Sequence, residues 1–171
     1  MLNLLHSVEQ SLESLLRTQE IHSMYIDYHP PVVSRIWFQH GEYRVYLHKI
    51  EPCGDSADAL YHPHPWQSAI RIIRGCYEMG VGHSATDEIP VTDCRLILPA
   101  GTQYEMIEED AWHYVNPLNE PVYSLMVTGK LSSRKMPVEP KRQFRALERA
   151  EINDILDVFK GYYGWLQMPI L

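Results

Sequence analysis

A chain of 171 residues, 45% apolar and 22% charged, has the size and composition of one globular domain, which argues against wholesale disorder. Fifteen basic against 22 acidic residues leave a net charge of −7, the wrong sign for a phosphate-binding surface, so nucleic acid is not an expected partner. No apolar run approaches the roughly 20 residues that cross a bilayer, so no membrane partner is expected either.

The opening MLNLLHSVEQ lacks the basic start and long apolar core of a secretory signal. Leu5, Val8, Leu12 and Leu15/Leu16 recur at helical spacing to about residue 18, which predicts a helix packed on the outside of the domain within residues 1–29. From Pro30 to Thr128 the texture changes to short runs rich in Val, Ile, Tyr and Trp. VVSRIWF and YRVYLHKI flank QHGE, a hairpin with its glycine in the turn. SAIRIIRG, YEMGVG, CRLILPAG, QYEMIEE, WHYVNP and PVYSLMVTG continue the series, and so many short strands predict a sandwich or barrel over residues 30–130. Cys53, Cys76 and Cys94 are odd in number and form no CxxC pair, so reduced thiols in a cytoplasmic protein are expected.

After Lys130, SSRKMPVEPKR reads as a linker within the last segment, 131–171. Phe144, Leu147, Ile152, Ile155, Leu156 and Phe159 then recur helically, with Gly161 placed to end the helix. The tail YYGWLQMPIL is expected to pack on the barrel wall or on another subunit, which leaves a homodimer open.

Nine histidines are present, and His6, His22, His29, His40, His48 and His83 are read as isolated side chains. His62 and His64 differ, because i, i+2 spacing on an extended chain sends both imidazoles to one face. That is half of a metal site, with a polar loop as the competing reading. A third ligand must come from a strand distant in sequence. His113 in WHYVNP alternates with Trp112 and Tyr114 and so points inward, although a buried histidine bonded to backbone would do the same.

Together these pieces resemble the cupin superfamily. Its first motif matches His62, His64 and Gly75, with Ser68 where the usual glutamate stands; its second matches Pro99, Gly101, His113 and Asn116. The long interval between Gly101 and His113, the position of Tyr104, and the run HYVNPLNEPVYSL are similar to the thiol dioxygenases, the cysteine dioxygenase-like group. The resemblance implies a mainly β fold, a jelly-roll barrel with flanking helices, covering about residues 30–130.

By the same resemblance, iron(II) would sit on His62, His64 and His113, with a small-molecule substrate and O₂ as partners. Imidazole donors also suit Zn, Ni, Mn, Cu or Co, so iron follows from the family and not from the spacing. Arg35, six residues ahead of Gly41, matches the arginine that binds the substrate carboxylate, and a guanidinium can clamp a carboxylate bidentately. An exposed strand arginine paired with a neighbour is the competing reading.

Departures from the group are concentrated on one strand. The crosslinked cysteine and tyrosine are replaced by Ser68 and Thr128, and the group's Ser-His-Tyr relay keeps only Ser124, since Met126 and Thr128 replace the rest. Alternation turns Ser124, Met126 and Thr128 inward, into a more apolar pocket. Trp66, Gln67 and Tyr104 are expected at its mouth, and Glu105, Glu108, Glu109 and Asp110 are expected to form a solvated acidic turn. The leading expectation is an oxidoreductase adding O₂ to the sulfur of a carboxylate-bearing thiol. The alternatives are a non-redox metal-dependent isomerase or lyase, and a non-catalytic ligand-binding cupin.

Overall fold

The computed structural model describes residues 1–27, 29–130 and 144–165. Helix α1 (Leu2–Thr18) forms where expected and buries Leu5, Val8, Leu12 and Leu16, one stripe at three- and four-residue spacing. Ten strands follow: β1 (His22–Ile26), β2 (Val33–His40), β3 (Tyr43–Ile50), β4 (His62–Pro63), β5 (Ser68–Arg74), β6 (Cys76–His83), β7 (Cys94–Pro99), β8 (Gln103–Met106), β9 (Ala111–Pro117) and β10 (Val122–Thr128). Helix α2 (Arg149–Tyr163) completes the described chain.

The strands form two antiparallel sheets, ordered β1-β2-β3-β10-β5-β8 and β4-β9-β6-β7. The two sheets make a jelly-roll barrel with a helix at each end, the mainly β architecture expected. In the six-stranded sheet the period-2 alternation separates two environments. Ile36, Phe38, Val45, Leu47, Leu125 and Val127 turn to one face and pack against Leu5, Leu12, Ile155, Leu156 and Phe159 of the helices. The opposite face turns inward, where Ile72 and Val122 meet Tyr77 and Met79 of the four-stranded sheet and Tyr46 packs with Ile70 and Met126.

Gly75 joins β5 to β6 with φ at +83°, a backbone that side chains resist. A β-carbon there would also lie 2.9 Å from the carbonyl oxygen of Pro121. Position 75 is therefore a close crossing under β10 as well as a turn.

Three details depart from the sequence reading. The segment read with the N-terminal helix also supplies β1, which pairs with β2 from His22↔Trp37 to Ile26↔Val33. Phe144 and Leu147 precede α2 and do not extend it, since the helix begins after Glu148, which forms a capping box with Glu151. Gly161 lies inside the helix, and Gly164, three residues on, is the left-handed cap at φ +68°. Of the tail, Tyr163 and Trp165 pack against the helix-covered core, as one expectation had it. The linker 132–142 and the last six residues lie outside the described residues.

Candidate metal centre

His62, His64 and His113 converge at one end of the barrel interior, each offering a ring nitrogen, with these atoms all within 4.8 Å of one another. Backbone pairing brings them together. Strand β4 pairs with β9 so that His62 faces His113 directly, and Pro63 faces Trp112. His64 follows two residues after His62, and their rings lie 5.2 Å apart, near-parallel. His113 meets His64 edge-on, at 88° between ring planes, with the two Nε2 atoms 3.0 Å apart. Trp112 and Tyr114, its neighbours in β9, turn to the other side and pack on Tyr61, which fixes the inward direction of His113.

Two neutral imidazoles cannot present lone pairs to each other at 3.0 Å without a proton or cation between them. Two nitrogens each about 2.1 Å from one cation, at right angles, would stand roughly 3 Å apart. The rest of the environment favours the neutral ligand form. Burial above all holds His62 down to about 4, and burial together with the His62 and His48 imidazoles holds His64 down to about 3. His113 lies well below its ordinary value for the same reasons, burial first and then His64 and His62.

Hydrogen bonds at the far nitrogens complete the donor set. Nδ1 of His62 donates to the Leu60 carbonyl at 3.0 Å, which leaves Nε2 with its lone pair. Nδ1 of His64 lies 3.3 Å from Oγ of the fully buried Ser68; donation to that oxygen again frees Nε2. Nδ1 of His113 is buried without a hydrogen-bond partner among the described residues. Ser68 thus serves to orient a histidine of the cluster. The cluster itself contains no carboxylate. The residues present fit a divalent transition metal held by three nitrogens. Ser68→Ala should weaken metal binding by about tenfold or more, because His64 loses the acceptor that fixes its tautomer. Competition against a chelating indicator measures this.

The other expected residues fall in different places. Ser124, Met126 and Thr128 are buried and face inward, as alternation required, with Met126 in the small cluster of Tyr46 and Ile70. Trp66 and Gln67 line a pocket of about 350 Å³ that reaches His64, together with Glu42, Glu108 and Lys130. Tyr104 is not among its walls. It lies deeper, between two interior clusters, with its hydroxyl 2.5 Å from that of Tyr77, so its phenol is already engaged. Burial raises Tyr104 to about 12. Glu108, Glu109 and Asp110 are exposed as expected, but Glu105 lies on β8 and accepts a hydrogen bond from the backbone N–H of Leu2.

Arg35 is half-buried, on the inward face of β2, with its guanidinium 5.2 Å from the ring centroid of Tyr46. One Nη donates to Sδ of Met24 across the β1–β2 ladder. Register places His48 directly opposite Arg35, and Ser124 opposite His48. His48 is therefore no isolated histidine. It is 8% exposed, stacks on Tyr46 at 5.6 Å, and is close enough to His64 to influence its charge. The signal for it was the inward alternation Arg44, Tyr46, His48. Reading that signal required knowing that β3 lies beside β10.

No family model and no curated protein matches the chain. Among solved structures it is similar to hydroxypropylphosphonic acid epoxidase from S. wedmorenis, at 14% identity and a TM-score of 0.49, over 64% of this chain and 55% of that one. An iron(II) form of the same epoxidase aligns over 65% and 56%, at 14% identity and a TM-score of 0.48. AerE from Microcystis aeruginosa aligns at 20% identity and a TM-score of 0.48, over 74% of this chain and 53% of that one. The chain spans about half the length of each of these structures, and likenesses so distant carry no chemistry across. The three-histidine cluster stands on its own geometry.

Proposed function

We propose that the chain is a metal-dependent oxidoreductase that holds iron(II) on His62, His64 and His113 and adds O₂ to the sulfur of a small carboxylate-bearing thiol. The observation that carries this reading is the convergence of three neutral imidazoles with no carboxylate in the cluster. Three neutral ligands leave the full positive charge of the ion at the site, which favours an anionic thiolate beside it. Iron(II) held by His62, His64 and His113 would supply the redox chemistry that couples oxidation of the thiol to reduction of O₂.

The chain's own residues bind and exclude. His62 and His64 are held as Nε2 donors by Leu60 and Ser68. Met126, Ile70 and Tyr46 form an apolar cluster in the interior, with Tyr46 against Arg35. Arg35, a cation on the inward face of β2, is the group to receive the substrate carboxylate. The net reaction balances without another reductant: a thiol and O₂ give a sulfinic acid, with sulfur losing four electrons and O₂ gaining them.

The test is oxygen consumption by iron-loaded protein against a panel of thiols with and without a carboxylate. One O₂ consumed per sulfinate formed, with carboxylate thiols preferred, is the expected result. No uptake with any thiol overturns the reading. Zinc or nickel in protein purified without added metal would then point to Lewis-acid chemistry at the same site.

A further inference from the structure

Strand β7 is the outer member of the four-stranded sheet, paired with β6 on one side and, among the described residues, with no strand on the other. None of its residues is buried. Leu96 is 40% exposed and Ile97 58%, and Ile89 and Val91, in the approach to the strand, are more exposed still. Native sheets commonly protect an edge with lysine or a covering helix or loop, because its unpaired backbone is a template for another strand. CRLILP carries no lysine, and the stretch 89–99 has one acid, Asp93, against one base, Arg95. It is thus neutral on a chain of net charge −7, so two copies can meet here without the repulsion that the rest of the surface imposes.

Which backbone groups are open follows from the ladder. The N–H of Ala100 donates to the Gly75 carbonyl, and antiparallel bonds recur at every second residue, so the groups of Leu96 and Leu98 turn to β6. The N–H and C=O of Arg95 and Ile97 therefore point to the open side, and Pro99 has no N–H to add. These groups are complementary to their own copy. With Leu96 on a two-fold axis, Arg95 of one chain lies opposite Ile97 of the other, and every open N–H meets a carbonyl. A shift of one step either way is worse. Ile97 opposite Ile97 leaves the Arg95 carbonyl facing a proline, and Arg95 opposite Arg95 sets like charges together.

We infer that β7 is a homodimer interface, which joins two copies edge to edge so that their four-stranded sheets become one, with Leu96 at the centre. Side chains add burial to the backbone pairing: Leu96 meets its own copy, and Ile97 lies beside the apolar stem of the other chain's Arg95. Association then belongs to the barrel edge and not to the aromatic tail, whose Tyr163 and Trp165 already pack on the helix-covered core. It is independent of the metal centre and of the thiol reading.

The experiment is sedimentation equilibrium of the purified full chain at concentrations up to about 100 µM, a range that captures small interfaces. Wild type should approach twice the 19.9 kDa mass of the chain. Ile97→Pro removes an open N–H without touching the bonds to β6, and Ile97→Lys adds the charge that edges normally carry. Each should weaken the dimer by about tenfold or more, with circular dichroism unchanged. Leu96→Cys in a Cys94→Ser background should form an intermolecular disulfide under mild oxidant, since a non-hydrogen-bonded pair brings Cα atoms to about 4.5 Å. Wild-type Cys94, placed opposite Leu98 of the other copy, should not. A wild-type chain that stays monomeric overturns the inference and leaves the edge to a strand of different sequence. A dimer of unchanged strength in folded Ile97→Lys overturns it too, because the contact then lies elsewhere. Should Ile97→Pro fail to fold, Ile97→Lys and the crosslink decide; Leu96→Cys that crosslinks no faster than Cys94 overturns the pairing.

Discussion

Purified wild-type protein should carry about one equivalent of a divalent transition metal, and His64→Ala should retain less than about a tenth of that. Elemental analysis by mass spectrometry measures both. The effect is large because His64 is the common neighbour of the cluster: its Nε2 stands 3.0 Å from that of His113, and its ring stacks on His62. Its removal leaves two imidazoles with no carboxylate in the cluster to replace the third. The loss should be local. His64 lies outside the strands, between β4 and β5, so far-ultraviolet circular dichroism should be unchanged. Gln67→Ala is the control, because this exposed side chain lies three residues away and should leave metal content intact. Equal metal in His64→Ala and wild type would show that the three histidines are a hydrogen-bonded group and no more.

Phe159→Ala is expected to destabilise the fold by about 3–5 kcal/mol, read as a lowered denaturation midpoint at unchanged slope. Phe159 is fully buried in α2 and belongs to the cluster that joins both helices to the outer face of the six-stranded sheet. Deleting the ring removes its transfer free energy and leaves a cavity between a helix and a sheet, two rigid partners that close on it poorly. The measurement must be made at constant metal loading, since a bound ion stabilises the native state by mass action. A loss under about 1 kcal/mol would mean that α2 merely covers the sheet and does not form its core.

Much of the barrel was legible because its strands announce themselves by alternation and by the glycines between them. The histidine pair was legible for the same reason, since spacing of two on an extended chain needs no partner strand to be read. The pairing of His62 with His113 was not, because β4 is two residues long and its register is a long-range fact. His48 was missed on similar grounds: its environment comes from Arg35 and Ser124 on two other strands. Strand β1 was hidden in HSMYI, whose burial does not alternate. At the end of α2, only backbone conformation separates Gly161 from Gly164, and both read as caps in one dimension. Tyr104 was placed at the mouth by motif position, whereas the fold turns it inward to Tyr77.

Strand β10 lies at the centre of the six-stranded sheet, and all seven of its residues are buried. Its odd-numbered members Leu125 and Val127 belong to the helix-covered core, while Ser124, Met126 and Thr128 look into the chamber. One strand therefore writes two messages in alternate letters, one to the helix-covered core and the other to the barrel interior. Substitutions on the two faces should add in their effects, because side chains on opposite faces share few contacts. The inward positions Ser124, Met126 and Thr128 can thus be altered while the helix-facing core of the same strand stays intact.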